Sequence, residues 1–166
     1  SDLLEYYEDA YLLFSVPEFT RSLANNTRSA SKVYAVDPAM FGAFSPASAL
    51  DQGQRLETAV FNALRRRTPA VRVGSVCRLL VKEKNKSHEV DFVAGDALLM
   101  QAYSLTQVSV DMASEKTRER EIAALDASMA QFDLGESVIV TMDEQADIPC
   151  EHGVVHAVPA WKWLLA

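Results

Sequence analysis

The order of apolar and polar residues predicts a helix and a β-hairpin at the start of the chain. Residues 3–14 read as a helix that runs into a strand, and Lys32–Val36 is a short β-rich run. The turn-forming residues Asn25–Thr27 lie between them. We therefore expect a hairpin with strands near Ala10–Phe19 and Ser31–Val36.

A second helix and three strands are predicted for the centre of the chain. Asp51 can cap the helix, with Gln54 three residues further on. The helix is expected to end before Pro69, because proline cannot continue a helical hydrogen-bond ladder. Strand-like runs then follow at Val71–Lys82, Glu89–Val93 and Ala102–Val110.

The last part of the chain alternates between helix and strand. A helix is expected from about Ser114 until Gly135 ends it, because apolar residues share one helical face at Ile122, Leu125, Met129 and Phe132. Two strands and a short helix follow at Ser137–Thr141, Val154–Val158 and Pro159–Ala166. The tryptophans of this last helix, Trp161 and Trp163, are expected to seal the core. The whole order predicts an α/β fold, in which helices pack on a central mixed sheet.

The composition is that of a globular protein. Hydrophobic residues make up 49% of the 166 residues and charged residues 23%. The sequence offers no membrane-length apolar stretch, signal peptide or glycine-rich phosphate loop. We therefore expect a cytoplasmic protein that makes no membrane contact. Cys77 and Cys150 are too few for a disulfide framework or a zinc site, and buried thiols are expected.

Charge is distributed unevenly along the chain. The net charge is −7, which argues against a general nucleic-acid coat protein. Eight basic and two acidic residues nevertheless lie between Arg65 and Val90, whereas Asp111–Glu151 holds eleven acidic and three basic residues. The basic stretch is compatible with a surface that meets phosphates, and equally with a solvated loop and helix end.

Glu57 lies in an unexpected place on the second helix. At about 100° per residue, it falls within an arc of apolar side chains formed by Leu56, Val60, Phe61, Ala63 and Leu64. A carboxylate on the core side costs several kcal/mol unless it has a partner or a cation. Glu57 is therefore either directed at a site on the sheet, or placed at the rim of the arc, where it reaches water or a nearby arginine.

Two predicted strands also carry polar residues in their interiors. Asp91 lies in the middle of an alternating strand, where aspartate is uncommon, so it marks a site unless that position is an exposed edge. Gln107 and Ser109 share one face of the following strand. That face is either part of the same site or simply solvated.

These three features together resemble the PD-(D/E)XK nuclease superfamily. There a helix supplies a glutamate, the next strand an aspartate, and the strand after it a Glu-X-Lys or Gln-X-Lys pair. A closer resemblance runs through nearly the whole chain, in strings such as LLEYYEDAYLLFSVPEF, SKVYAVDPAM, GQRLETAVFNALRRR, EVDFV and TQVSVDM. It is to the restriction-endonuclease-like C-terminal domain of bacterial and archaeal AAA+ ATPases. This resemblance implies that residues 1–40 end a winged-helix-like segment, with the hairpin as its wing, and that residues 41–166 form the nuclease-like domain.

The resemblance also implies roles for individual residues. Glu57 and Asp91 match the Mg²⁺ ligands, Gln107 matches the Glu/Gln position, and Ser109 stands where the family has its lysine. Serine cannot supply the positive charge of that lysine. Arg118 and Arg120 are candidates to replace it, but the preferred interpretation is that they form a solvated helix turn and pair with glutamates such as Glu115 and Glu119. His88 either lies near the metal or is a surface residue.

Three functions are then open. The domain is a Mg²⁺-dependent phosphodiesterase acting on DNA, or a module with a degenerate site that binds DNA or a protein partner, or an oligomerisation domain that regulates the ATPase. ATP is expected to bind only in the ATPase part, which the resemblance places before Ser1, so that the missing initiator methionine is explained.

Overall fold

The computed structural model describes residues 2–22, 31–40, 50–68, 76–83 and 86–166. Its first half contains helix α1 (Asp2–Asp9), strands β1 (Leu13–Val16) and β2 (Lys32–Ala35), helix α2 (Leu50–Arg67) and strand β3 (Val76–Glu83). Its second half contains β4 (Lys86–Asp96), β5 (Gln101–Val108), α3 (Glu115–Phe132), β6 (Glu136–Thr141), β7 (Ala146–Pro149), β8 (Val154–Pro159) and α4 (Ala160–Leu165).

The described strands form one mixed sheet and a separate hairpin. In the six-stranded sheet the order is β3-β4-β5-β6-β8-β7, while β1 pairs only with β2. Neighbours β3, β4 and β5 are antiparallel, whereas β5, β6 and β8 run parallel and β7 returns antiparallel to β8. The predicted fold class, a mixed sheet flanked by helices with a hairpin before it, is confirmed.

Helices cover the two faces of the sheet with different apolar cores. Helix α3 buries Leu125 and Met129 against one face, in a core that includes Leu105 and Ile139. On the other face, α2, α4 and the hairpin enclose a second core around Phe92. The predicted apolar face of α3 is confirmed, since Leu125 and Met129 are completely buried.

Aromatic contacts fix the hairpin to the second core. The ring of Tyr34 on β2 lies 4.7 Å from that of Phe61 on α2 and 5.4 Å from that of Phe92 on β4. Backbone hydrogen bonds add a second attachment, because Phe19 N donates to the carbonyl of Arg78 on the edge strand β3. The hairpin is therefore held against both α2 and the sheet.

Strand β4 contains a bulge at Asp91. The register of β3 and β4 shifts between Cys77 and Leu79, so that Asp91 and Phe92 together face the single residue Arg78. A bulge of this kind changes the direction of the side chains next to it. Here Phe92 enters the second core, and Asp91 points towards the site described below.

Some sequence predictions are wrong or lie outside the described residues. Strand β7 was not predicted. Trp161 is 64% exposed and does not seal the core. Helix α3 ends at Asp133, whose backbone is in the left-handed region, and not at Gly135 as predicted. A short helix cannot bury tryptophans two positions apart on the same side, and only Trp163 packs against the second core. The predicted turn at 25–27, the beginning of the strand at 71–75 and the predicted boundary near residues 41–49 lie outside the described residues.

None of the helices among the described residues has the length and hydropathy needed to cross a bilayer.

The core between α3 and the sheet predicts a stability effect. Leu125 is completely buried, so Leu125→Ala should lower the free energy of unfolding by about 2–5 kcal/mol, because it leaves a cavity. Urea denaturation followed by circular dichroism measures this loss. Ala123→Ser, at an exposed position of the same helix, should change it by less than about 0.5 kcal/mol. A loss below about 1 kcal/mol for Leu125→Ala would contradict the packing.

Candidate functional site

A cleft of about 370 Å³ opens beside strands β4 and β5. Three of the predicted site residues, Glu57, Asp91 and Gln107, line it. The other lining residues are His88, Glu89, Val108, Arg120, Glu121 and Ala124. The structure therefore brings a helix residue and residues of two successive strands together, and His88 lies at the cleft.

Side chains replace the backbone ladder at the point where β4 and β5 diverge. The β4–β5 ladder ends on this side with the pair of Phe92 and Thr106. Beyond it, the backbone N–H of Asp91 donates to Gln107 Oε1 at 3.0 Å, and the N–H of Val108 donates to Asp91 Oδ2 at 3.0 Å. These two bonds hold the fork open and fix both side chains. Asp91 and Gln107 are buried, so the exposed edge and the solvated face considered for them are both wrong.

Glu57 has partners that its own helix does not supply. Its Oε1 accepts hydrogen bonds from the hydroxyl of Tyr34 and from Lys32 Nζ, the latter at 2.9 Å. Both partners belong to β2 of the hairpin. The carboxylate in the apolar arc is thus directed towards the hairpin and is paired with a lysine there, not with a nearby arginine.

Lys32 is the central cation of the site, and the sequence analysis did not identify it. Its ammonium nitrogen lies 2.9 Å from Glu57 Oε1, 2.8 Å from Glu89 Oε1 and 3.0 Å from Asp91 Oδ1. Glu89 has a second cation nearby, because Arg78 lies 3.6 Å from its Oε2. One ammonium therefore compensates carboxylates from α2 and β4 together.

Burial and charge shift the pKa values of the site. Burial and the neighbouring Glu57 charge raise the pKa of Asp91 to about 6, although Lys32 opposes the shift. Burial alone would lower the pKa of Lys32, but the carboxylates, above all Asp91, outweigh it and raise that pKa. Burial and the Glu57 charge raise the pKa of Tyr34, so its hydroxyl remains a donor.

Gln107 connects Asp91 to a carboxylate on the opposite side of the cleft. Its Nε2 donates to Glu121 Oε2 at 2.7 Å, and the other oxygen of Glu121 accepts from the guanidinium of Arg120. Glu121 is buried at the cleft wall. The sequence analysis missed it, although a glutamate on the buried face of α3 was a detectable signal.

Ser109 and Arg118 do not line the cleft. The Ser109 hydroxyl donates to the carbonyl of Asp111 at 3.2 Å, and Arg118 pairs with Glu144 at 3.3 Å. Arg120 does line the cleft but pairs with Glu121. Glu115 and Glu119, the partners considered for these arginines, do not appear in either pair.

Several arginines of the basic stretch are engaged in packing. The Arg65 guanidinium lies 3.6 Å from the centre of the Phe14 ring, and that of Arg67 lies 4.3 Å from the Trp163 ring. Such cation–π contacts stabilise the fold. The side chains of residues 82–87 lie outside the described part, and a phosphate-binding surface here stays a prediction.

A second acidic group lies away from the cleft. Asp126, Glu151 and His152 offer ligand atoms within 4.8 Å of one another. Asp126 accepts from the backbone N–H of His152 at 2.9 Å and contacts its Nδ1 at 3.1 Å. Glu151 and His152 are exposed. A turn at the protein surface is therefore enough to explain why these three side chains lie together.

The cleft also offers carboxylate oxygens that a hard divalent cation could use as ligands. Carboxylate oxygens of Glu57 and Asp91 lie 2.9 Å and 3.0 Å from the same positive centre, Lys32 Nζ. Mg²⁺ prefers oxygen ligands and is commonly held by one or two carboxylates, with water completing its shell. Glu57 and Asp91 are the residues that would hold such an ion.

A protein of Methanocaldococcus jannaschii is similar to this chain in sequence. The two are 32% identical over an alignment of 168 positions, and that protein is described as uncharacterised. The alignment covers 98% of this chain but 35% of that protein, so the chain spans about a third of the length of the relative that it matches. No family model and no solved structure matches the chain.

The raised pKa of Asp91 predicts a pH-dependent effect on stability. A carboxyl whose folded-state pKa is raised stabilises the fold below its unfolded pKa of 3.8, and this contribution is lost as the pH rises through about 6. At pH 7 Asp91→Asn should therefore increase the free energy of unfolding by about 1–3 kcal/mol relative to the parent. This gain should disappear at pH 4.

Thermal unfolding of both proteins at the two pH values measures this effect. Asp143→Asn, which removes an exposed carboxylate, is the matched control and should show no such difference. If Asp91→Asn is less stable than the parent at pH 7, the ion pair with Lys32 outweighs the burial of Asp91.

Proposed function

We propose that this chain is a nuclease-like domain of the PD-(D/E)XK type that binds DNA through a divalent cation held by Glu57 and Asp91. The observation that carries the proposal is the meeting of Glu57, Asp91 and Gln107 in one cleft. They follow the order Glu, Asp, Gln of that superfamily, although here one further strand, β3, lies between the helix and the strand that carries Asp91. A bulge and two side-chain hydrogen bonds to the backbone hold Asp91 in this position.

The residues of the cleft suit a phosphodiester ligand. A divalent cation, when bound, polarises a phosphoryl oxygen and activates a water molecule. Glu57 and Asp91 would bind the cation, Gln107 fixes the backbone of Asp91, and the half-exposed ammonium of Lys32 adds a positive charge. Arg120, at the mouth of the cleft, is largely exposed and can reach a phosphate.

One departure from the superfamily pattern is offset by another residue. Ser109, at the lysine position, has no charge and is bonded to the Asp111 carbonyl, whereas Lys32 brings a positive charge from the hairpin. Gln107 fits the pattern, and the buried carboxylate of Glu121 lies next to it and faces the same cleft. In this proposal the site keeps a basic residue near its carboxylates, although that residue comes from another element.

We further propose that the domain works with an AAA+ ATPase module. The support is the resemblance of the sequence strings together with the length of the relative, about two thirds of which lies outside the alignment. In this proposal ATP binds in the ATPase module, and the cleft binds the DNA or the protein partner.

A second function is favoured by one observation. Lys32 already compensates the carboxylates of the cleft, so the domain could be stable as a metal-free module that binds a partner or regulates the ATPase. In that case divalent cations would have no effect on the protein.

A metal titration distinguishes these functions. Mn²⁺ or Mg²⁺ at about 100 times its Kd stabilises a protein by about 2.7 kcal/mol, so Tm should rise by roughly 5–10 °C. Glu57→Gln and Asp91→Asn should abolish this rise. Asp126→Asn should keep it, because Asp126 belongs to the surface group outside the cleft. An unchanged Tm of the parent, or a shift lost only in Asp126→Asn, would refute the proposed metal site.

DNA binding gives an independent test of the proposal. In Mg²⁺ the chain should retain labelled DNA at low salt, and the logarithm of the affinity should fall linearly with the logarithm of salt concentration. Arg120→Ala should weaken retention, because Arg120 is the exposed cation at the cleft. Lys162→Ala, at an exposed position outside both the cleft and the basic stretch, is the control. Absence of any salt-sensitive retention would exclude DNA as the ligand of this chain.

A further inference from the structure

We propose that Lys32 is the resident cation of the cleft and exchanges with the divalent ion, so that metal binding releases this lysine from Glu57 and Asp91. This inference depends on the proposed metal site and adds a regulatory role for the hairpin. It makes Lys32 the basic residue of the site, in place of a lysine at position 109.

The ammonium and a metal ion need the same oxygen atoms. Lys32 Nζ lies 2.9 Å from Glu57 Oε1 and 3.0 Å from Asp91 Oδ1. Mg²⁺ binds carboxylate oxygens at about 2.0–2.1 Å, and two positive centres sharing both oxygens would repel each other strongly. Binding of the ion therefore requires the ammonium to leave these two carboxylates.

The structure provides a place for the displaced ammonium. Lys32 lines a second cleft of about 250 Å³ between β2 and α2, which Glu57 shares with the first cleft and which Val33, Tyr34, Gln54 and Thr58 complete. Its side chain is 31% exposed, and a lysine stem moves easily among rotamers. Glu89, whose Oε1 lies 2.8 Å from Nζ, remains available as a partner because it is not one of the proposed ligands. The ammonium can thus stay beside the cleft and face a bound phosphate.

The hairpin itself need not leave the sheet when this exchange occurs. Tyr34 stacks on Phe61, and the backbone of Phe19 bonds to Arg78 on β3. These contacts do not involve Lys32. The exchange is therefore a movement of one side chain, with the backbone of β2 as its fixed pivot.

Mn²⁺ titration calorimetry on the 166-residue chain tests the inference. Lys32→Met removes the competing charge, so Mn²⁺ should bind about tenfold more tightly than to the parent. Lys32→Arg keeps a cation and should bind within about threefold of the parent. Lys162→Met, which removes an exposed lysine that bonds Gln145 and does not line the cleft, should bind as the parent does.

A second measurement uses the unmodified lysine, in case Lys32→Met does not fold. In the parent, the ¹⁵N–¹H signal of the Lys32 ammonium should be visible because three carboxylates bind it. Adding Mg²⁺ should shift or remove this signal. An unaltered Lys32 signal at saturating Mg²⁺ would overturn the exchange.

The outcomes separate the inference from the proposed function. Equal Mn²⁺ affinity of the parent and a folded Lys32→Met leaves the metal site intact and refutes the exchange. Binding by Lys32→Met alone supports the exchange in its strongest form, in which Lys32 blocks the site. If neither protein binds Mn²⁺, the metal site is refuted and the exchange with it.

Discussion

The burial of Asp91 is the constraint on which the arrangement of the cleft depends. A carboxylate this deep is stable only if donors and cations surround it. Here the Val108 N–H and Lys32 Nζ bind one oxygen each. The first partner opens the fork between β4 and β5, and the second requires the hairpin to pack beside α2. The form of the strand fork therefore depends on one buried charge, and the same charge joins Lys32 and Glu57 in one cluster.

Lys32 compensates the burial of Asp91 only in part. Although an ammonium lies 3.0 Å away, burial still raises the pKa of Asp91 to about 6. Burial of ion pairs generally adds little net stability, and an apolar residue would pack against the second core at no such cost. Strongly shifted carboxyls in clefts are typical of functional sites, and this agrees with a role in binding a cation.

Sequence reasoning predicted the fold class and half of the residues of the candidate site. There is a physical reason why it found these residues and missed the others. Helical and strand periodicity expose a polar residue where an apolar one is expected, and both Glu57 and Asp91 were recognised in this way. Lys32 gave no such signal, because a lysine in a short, partly exposed strand is ordinary. It reaches the cleft only through the packing of Tyr34 on Phe61, a contact between segments far apart in the chain. The Trp161 prediction failed because periodicity in a six-residue helix is too short to assign a buried face.

The difference between a sequence motif and the arrangement of side chains in three dimensions also bears on whether Ser109 makes the site inactive. A motif read along one strand treats positions 107 and 109 as a unit, so a serine at 109 counts as a lost charge. In three dimensions the requirement is a cation near the carboxylates, and any element that reaches the cleft can supply it. Lys32 does so from β2, and Glu121 places a carboxylate beside Gln107 from α3. Because the charges of the cleft come from the hairpin and α3 as well as from the motif strands, the motif alone underestimates the chemistry available. The proposed site therefore depends on the movement of Lys32. If this lysine could not leave Glu57 and Asp91, it would block the metal site to which it adds a positive charge.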